Sequence, residues 1–201
     1  DSGVVKVGDK ISYLICESNK SESLFDYGRS HLSSNLDLFV DFYCDFASNG
    51  NYKLLYKTLL SDSMKEADME SVFDIDQKSY IDNHSDYDKC KNIISELQSD
   101  ISSRLNALPK IYTGNIIGDF NKNSVFTGGG DFSFRDLRYG CRGHVYSDIA
   151  NITLYYGLSK PIEKVLLQKI TQKMFLTVDK NLYNQFYELE LRRKALHYIL
   201  Q

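Results

Sequence analysis

The apolar residues of this chain change their period twice, and that switch limits what it can fold into. Up to Pro109 the longer segments repeat at three-and-four spacing. Between Lys110 and Phe134 the text becomes short, β-rich and Gly-bounded, and from Val145 onward the helical spacing returns. Helical spacing places one apolar stripe on a rod, whereas short runs broken by glycine suit strands and turns. The pattern predicts an α+β, predominantly helical protein with a small N-terminal β-hairpin, a central β-hairpin and a helical C-terminal half.

Individual segments follow from the same rules. VVKVGDKISYLICE, Val4 to Glu17, has two apolar runs around Gly8-Asp9 and reads as a hairpin with a tight turn. A Ser-, Glu- and Asn-rich connector follows. Leu36, Phe39, Val40, Tyr43, Cys44 and Ala47 form one stripe, so a helix is expected from Asn35 to Ala47, closed by Asn49-Gly50. Tyr52 to Leu60 is expected to form another helix, and Ser61 to Asp88 an acidic, polar loop. Ile93, Ile94, Leu97, Ile101 and Leu105 predict a helix from Tyr87 to Ala107. Lys110 to Phe120 and Ser124 to Phe134 are expected to pair as strands across Asn121-Lys122-Asn123. Three further helices are expected at Val145 to Tyr156, Pro161 to Phe175 and Val178 to Leu200. The organisation expected is 1–60, hairpin and helices; 61–90, an acidic connector; and 91–201, the helical half, all within one compact domain.

Composition sets the class. With 201 residues, 42% hydrophobic and 25% charged, the chain can bury a sizeable core. No apolar run reaches the roughly 18 residues of a membrane span. Residues 1–100 hold 19 acidic against 10 basic side chains, a net −9, and residues 101–201 hold 8 against 14, a net +6. A basic half can attract phosphate groups on a nucleotide, a nucleic acid or a lipid surface, although the two halves can also neutralise each other within the fold. Cys16, Cys44, Cys90 and Cys141 lack zinc-knuckle spacing and read as small buried hydrophobes, which favours a reducing, cytoplasmic compartment. The Asn-X-Ser/Thr triplets at Asn19, Asn83 and Asn151 keep a secretory life open.

Chemistry is most concentrated in IIGDFNKNSVFTGGGDFSF, Ile116 to Phe134. Asp119, Asn121 or Asn123, and Asp131 offer oxygens of the kind Mg²⁺ takes. Gly128, Gly129 and Gly130 let backbone approach a ligand and point amide hydrogens at a phosphate. A plainer reading makes Asn-Lys-Asn a turn, the Gly run a strand breaker and each Asp a backbone cap. His31, His144 and His197 have no partner at catalytic spacing and read as surface or locally bonded residues. Arg135, Arg138 and Arg142 read as loop arginines, with phosphate contact as the functional alternative. Arg192, Arg193 and Lys194 suit the dipole of the last helix, and Asp148 reads as a cap for a helix beginning near Ile149.

The text beyond this stretch adds a resemblance. IIGDFNKNS followed by DFSFRDLRYGCRGHVYSDIANITLYYGL, with Tyr146-Ser147-Asp148-Ile149-Ala150 at a helix start, resembles aminoglycoside phosphotransferases and choline-kinase-like proteins over about residues 93–200. The resemblance implies a kinase-like C-terminal lobe with Asp119 as the catalytic Asp, Asn123 as the metal-binding Asn and Asp131 as the second metal ligand. It also implies Mg²⁺ and ATP as cofactors and transfer of phosphate from a nucleotide to a hydroxyl of a small molecule.

The departures from that pattern are specific. Ile117 stands where the family has His, Ser124 holds the Asn position, and Asp131 follows Asp119 by only 12 residues. A shifted register that puts Asn115 at the family Asn leaves Lys110 at the catalytic position, and Lys6 or Lys10 are the poor candidates for a nucleotide-binding Lys. These features point to a degenerate pseudokinase as one form of the reading. A second resemblance, of NIIGDFN to the Gly-Asp-Phe-Asn motif of deoxyribonuclease-I-like phosphodiesterases, would use Asp119, Asn121, Glu17 and His84. A third possibility is a non-catalytic helical module that binds another protein through its acidic half and tyrosines.

Overall fold

The computed structural model describes residues 3–7, 11–15, 22–48, 87–118, 120, 124–128, 131–134 and 141–200. Two antiparallel strands open it, β1 (Gly3–Val7) and β2 (Ile11–Ile15), paired from Gly3↔Ile15 to Val7↔Ile11 as the sequence predicts. A short strand β3 (Glu22–Ser23) leads directly into helix α1 (Leu24–Ser34) and, after Asn35, into α2 (Leu36–Ser48). The sequence led us to expect only a polar connector before Asn35. In place of that connector α1 buries Leu24 and Leu32 completely. The segments 52–60 and 61–86, for which a helix and a loop are expected, lie outside the described residues.

Helix α3 (Tyr87–Ala107) matches its predicted bounds. The strands after it do not pair as expected. β4 (Gly114–Ile116) pairs antiparallel with β7 (Cys141–Gly143), from Gly114↔Gly143 to Ile116↔Cys141. β5 (Val125–Gly128) pairs with β6 (Asp131–Phe134), so the hairpin turns at Gly129-Gly130 and not at Asn121-Lys122-Asn123. The physical reason lies in the glycines. Two residues between strands make the commonest hairpin connection, and Gly-Gly is a sequence well suited to it. β5 also pairs with β3 through Glu22↔Thr127 and Ser23↔Phe126, which joins the hairpin to the entrance of α1.

Helices α4 (Val145–Tyr156), α5 (Lys160–Lys173) and α6 (Lys180–Leu200) complete the described chain. α4 is buried on every side through its first nine residues, Val145 to Thr153, and so forms the central rod. α6 lays Tyr183, Phe186, Leu189, Glu190, Arg193 and Leu196 against it, one stripe at three-and-four spacing. α2 closes the other side, where Phe39, Phe42 and Phe46 meet the alternating Phe132 and Phe134 of β6. Ring centroids lie 5.4 Å apart for Phe39–Phe132, 4.6 Å for Phe42–Phe134 and 5.0 Å for Phe46–Phe134. A period-two aromatic strand therefore docks on a period-3.6 aromatic helix, and one continuous core joins residues from Leu24 to Leu196. No helix among the described residues is long and apolar enough to cross a membrane.

Helix ends follow capping chemistry, with one exception. Gly157 ends α4 in the left-handed conformation, φ 58° and ψ 45°, as glycine allows. α5 ends the same way, with Leu176 N–H donating to the Thr171 carbonyl and Phe175 N–H to that of Gln172, but the left-handed residue is Phe175 at φ 55°. Its ring is 97% exposed.

Gly114 fixes how closely β4 approaches α2. A Cβ there would lie 2.7 Å from the Ala47 carbonyl oxygen and 3.1 Å from the Met174 methyl. Asn115 beside it donates to the Phe46 carbonyl at 3.3 Å, satisfying an acceptor at the C-terminal end of α2. Gly114→Ala is expected to cost about 1–3 kcal/mol, because backbone must move to admit the methyl. Urea unfolding measures it through a lower midpoint at unchanged slope.

Candidate functional site

The turn that follows β4 runs from Ile116 through Ile117 and Gly118 toward Asp119 and Phe120. Ile116, Ile117 and Phe120 are buried, so apolar packing grips the chain on both sides of Asp119. Gly118 has φ 81°, a conformation that side chains rarely adopt. What holds this turn is Asp148. Its Oδ2 accepts the Ile117 N–H at 2.7 Å and its Oδ1 accepts the Gly118 N–H at 3.0 Å. Tyr43 of α2 donates its hydroxyl to Oδ2 at 3.0 Å. One turn further along α4, Asn151 donates Nδ2–H to the Gly118 carbonyl at 3.2 Å. Both backbone groups of Gly118 and the N–H of Ile117 are thus tied to one helix.

This corrects the reading of Asp148 as a helix cap. α4 starts three residues earlier, and His144 is its cap, with Nδ1 accepting the Tyr146 N–H at 3.2 Å. Asp148 consequently sits inside the first turns and points inward. It is fully buried, and burial pushes its carboxyl up to about 7 against the opposing hydrogen bonds from Ile117, Gly118 and Tyr43. The Tyr43 hydroxyl is pushed well above its ordinary range by burial and by Asp148, so it remains a donor. His144 is pushed down to about 4 by burial and stacks on Phe186 at 5.0 Å, which makes it a neutral structural residue.

A second buried network keeps α4 in place. Ser147 donates to Glu190 Oε1 at 2.6 Å, and Arg193 Nε donates to Glu190 Oε2 at 2.8 Å. Arg193 is therefore a buried partner of Glu190, not a residue placed for the helix dipole. His31, read as a surface or locally bonded residue, instead meets Thr127 Oγ1 of β5 at 3.2 Å and the Phe132 ring edge-on at 6.3 Å. Cys44 is buried as expected and Cys90 partly so, both as free thiols.

Asp119, Asn123, Gly129 and Gly130 lie outside the described residues, as do the side chain of Asp131 and Gly128 beyond its strand backbone. Glu17, His84, Asn121 and Lys10 lie outside them as well. The hairpin register does locate Asp131 along its strand. It pairs with Gly128 at the turn, while Phe134 at the other end pairs with Val125, the neighbour of Ser124. Three residues of strand separate the two ends, about 10 Å. Asp136, two residues past Phe134 in the sequence, lies outside the described residues as well. The sequence reading assigned the second Asp-Phe pair, Asp131-Phe132, to the metal and did not weigh Asp136. Among the described residues no three His, Cys, Asp or Glu side chains are grouped to hold a metal ion.

No protein-family model matches this chain, and no curated protein matches it in sequence. Solved structures do. The fold is kinase-like, of the choline-kinase-like type. LicA in complex with AMP superposes with a TM-score of 0.60 at 12% identity, covering 100% of this chain and 64% of that one. The Plasmodium vivax ethanolamine kinase superposes with a TM-score of 0.50 at 18% identity, covering 100% of this chain and 61% of that one. Such identities establish shared architecture alone, and the chain spans less than two thirds of either structure. The helical build also removes the deoxyribonuclease-I-like alternative, which needs a sandwich of two large sheets. The described strands form sheets of only two and three strands.

Asp148→Asn replaces one acceptor oxygen by an NH₂ group facing a backbone N–H or the Tyr43 hydroxyl. A loss of about 1–3 kcal/mol is expected, the cost of leaving a buried donor unsatisfied. Amide exchange of Ile117 and Gly118 at pH 8 measures it as a local loss of protection, larger in Asp148→Asn than in Tyr43→Phe, which removes a single bond. Overall melting is a separate quantity there, because the neutral Asn is spared the cost of the buried charge.

Proposed function

We propose that the protein is a phosphotransferase that moves phosphate from a nucleotide to a hydroxyl group of a small molecule, with Asp119 orienting that hydroxyl. The observation that carries this is the Asp148 anchor. It ties Ile117 and Gly118 to α4, and Phe120 is buried on the other flank, so the chain is held on both sides of the carboxylate residue Asp119. A general base acts only if geometry is set before the substrate arrives, and such an anchor provides that. The kinase-like architecture, shared with one structure solved with AMP and another named an ethanolamine kinase, supports nucleotide use and a small hydroxyl-bearing substrate.

Magnesium and ATP are the cofactors this reading implies. Asn123 with Asp131 or Asp136 supplies oxygen donors alone, a set that suits a hard cation. Asp136 is preferred to Asp131 as the acidic ligand in this reading, because Asp131 pairs with Gly128 at the turn end of the hairpin, away from Ser124. Gly128 ends strand β5 and Gly129-Gly130 connect it to β6, and in this reading any phosphate contact by the three glycines is secondary to that. Ile117, apolar and fully buried at the position where a His would stand, favours a slower or degenerate variant of the chemistry.

The test is transfer from ATP with Mg²⁺ to a panel of small alcohols including ethanolamine. Wild type should turn over, and Asp119→Ala should lose at least about 10²-fold in kcat at unchanged melting temperature. Asp136→Ala should lose activity to a similar degree while Asp131→Ala retains most of it. Nucleotide-dependent thermal stabilisation without turnover would leave a nucleotide-binding pseudokinase. Neither stabilisation nor turnover would remove the phosphotransferase reading and leave a helical protein-binding module.

A further inference from the structure

Asp148 is a buried carboxylate whose surroundings consist of donors and one like charge. From the β4 turn it faces the N–H groups of Ile117 and Gly118, and from α2 the hydroxyl of Tyr43. On its own helix Asn151 turns its amide to the Gly118 carbonyl. From α6 it faces Glu190, which is already engaged by Ser147 and Arg193 and whose charge opposes ionisation of Asp148. No cation among these groups bonds to Asp148 itself.

Ionised, Asp148 satisfies all three donors at once. Protonated, it must place a hydrogen among them. At Oδ1 that hydrogen would meet the Gly118 N–H head on. At Oδ2 it has one partner able to reverse its role, the Tyr43 hydroxyl, which can accept if its own hydrogen turns away. The Ile117 N–H is then left against a neutral hydroxyl oxygen, and a charge-assisted bond becomes an ordinary one of about half the strength.

We propose that Asp148 is a pH-operated clamp on the Ile117–Gly118 turn, holding it tightly when ionised and loosening it when protonated. Burial pushes its carboxyl up to about 7, so the exchange falls in the neutral range and not in acid. The sign is fixed by linkage. The folded value lies above the ordinary Asp value, so this group favours the fold most fully at low pH and that contribution is lost as pH rises toward and through 7. The grip on the turn changes in the opposite sense, strengthening over the same range. Overall stability and local rigidity thus diverge with pH. The consequence for catalysis, a turn better ordered above neutrality, rests on the phosphotransferase reading. The clamp does not, and it is tested without turnover.

The experiment is NMR of the full chain between pH 5 and 9, following the Asp148 side-chain carboxyl carbon and the exchange of the Ile117 and Gly118 amide hydrogens. The carboxyl should titrate near pH 7. Exchange of both amides, corrected for its intrinsic pH dependence, should slow by roughly fivefold from the protonated to the ionised form. Tyr43→Phe removes a bond that favours the ionised form and should move the midpoint upward. Asp148→Asn should abolish both transitions, and if that variant fails to fold, the Tyr43→Phe shift carries the test. A carboxyl titrating below pH 5, or amide protection that ignores its titration, would overturn the clamp.

Discussion

One carboxylate in the middle of the molecule gathers three hydrogens from two separate segments, and most of the architecture can be understood as what it takes to keep it there. A buried Asp without a cationic partner is costly, and it is retained only when its oxygens are filled. Tyr43 fills one site from α2, and Ile117 and Gly118 fill the others from the turn after β4. Each donor is set by its own packing. Tyr43 stacks on Phe39, Ile117 is enclosed in the core, and Gly118 takes a backbone shape that other residues resist.

From this centre the remaining elements follow in order. α4 carries Asp148 and Asn151, so it must be central, and α6 and α2 enclose it. Glu190 and Arg193 tie α6 to Ser147, while the phenylalanines of β6 tie the hairpin to α2. The close approach of Gly114 to Ala47 and the bond from Asn115 to Phe46 fix where β4 ends, and so where the turn toward Asp119 begins. Such positioning is what the proposed role of Asp119 requires.

The helices were legible because amphipathic stripes are local. α2, α3 and α4 fall within a residue or two of where their apolar spacing puts them. Strand pairing was not legible, because β4 pairs with β7 across an intervening hairpin, and what its residues Gly114 and Asn115 contribute is contact with α2, which lies far away in sequence. α1 was missed because its polar and glycine-containing text, with Leu24 and Leu32 as core among the residues whose side chains are described, shows no clear stripe in sequence. The importance of Asp148 was hidden for a similar reason. An acid near a helix start looks like a cap in one dimension, and the distinction appears only when His144 is seen to hold that place. The candidate loop itself was picked out from Gly118-Asp119-Phe120 and its likeness to kinase-type sequences.

The central proposal is that the turn gripped by Asp148 carries Asp119 in a phosphotransfer site, beside which ATP and Mg²⁺ would bind. Amide chemical shifts recorded while ATP and Mg²⁺ are added test it most directly. The account predicts that Gly118, Phe120, Ser124 and Thr127 move together and saturate at one concentration. Unmoved amides there, with shifts confined to distant surfaces such as the exposed ring of Phe175 and its neighbours, would contradict it.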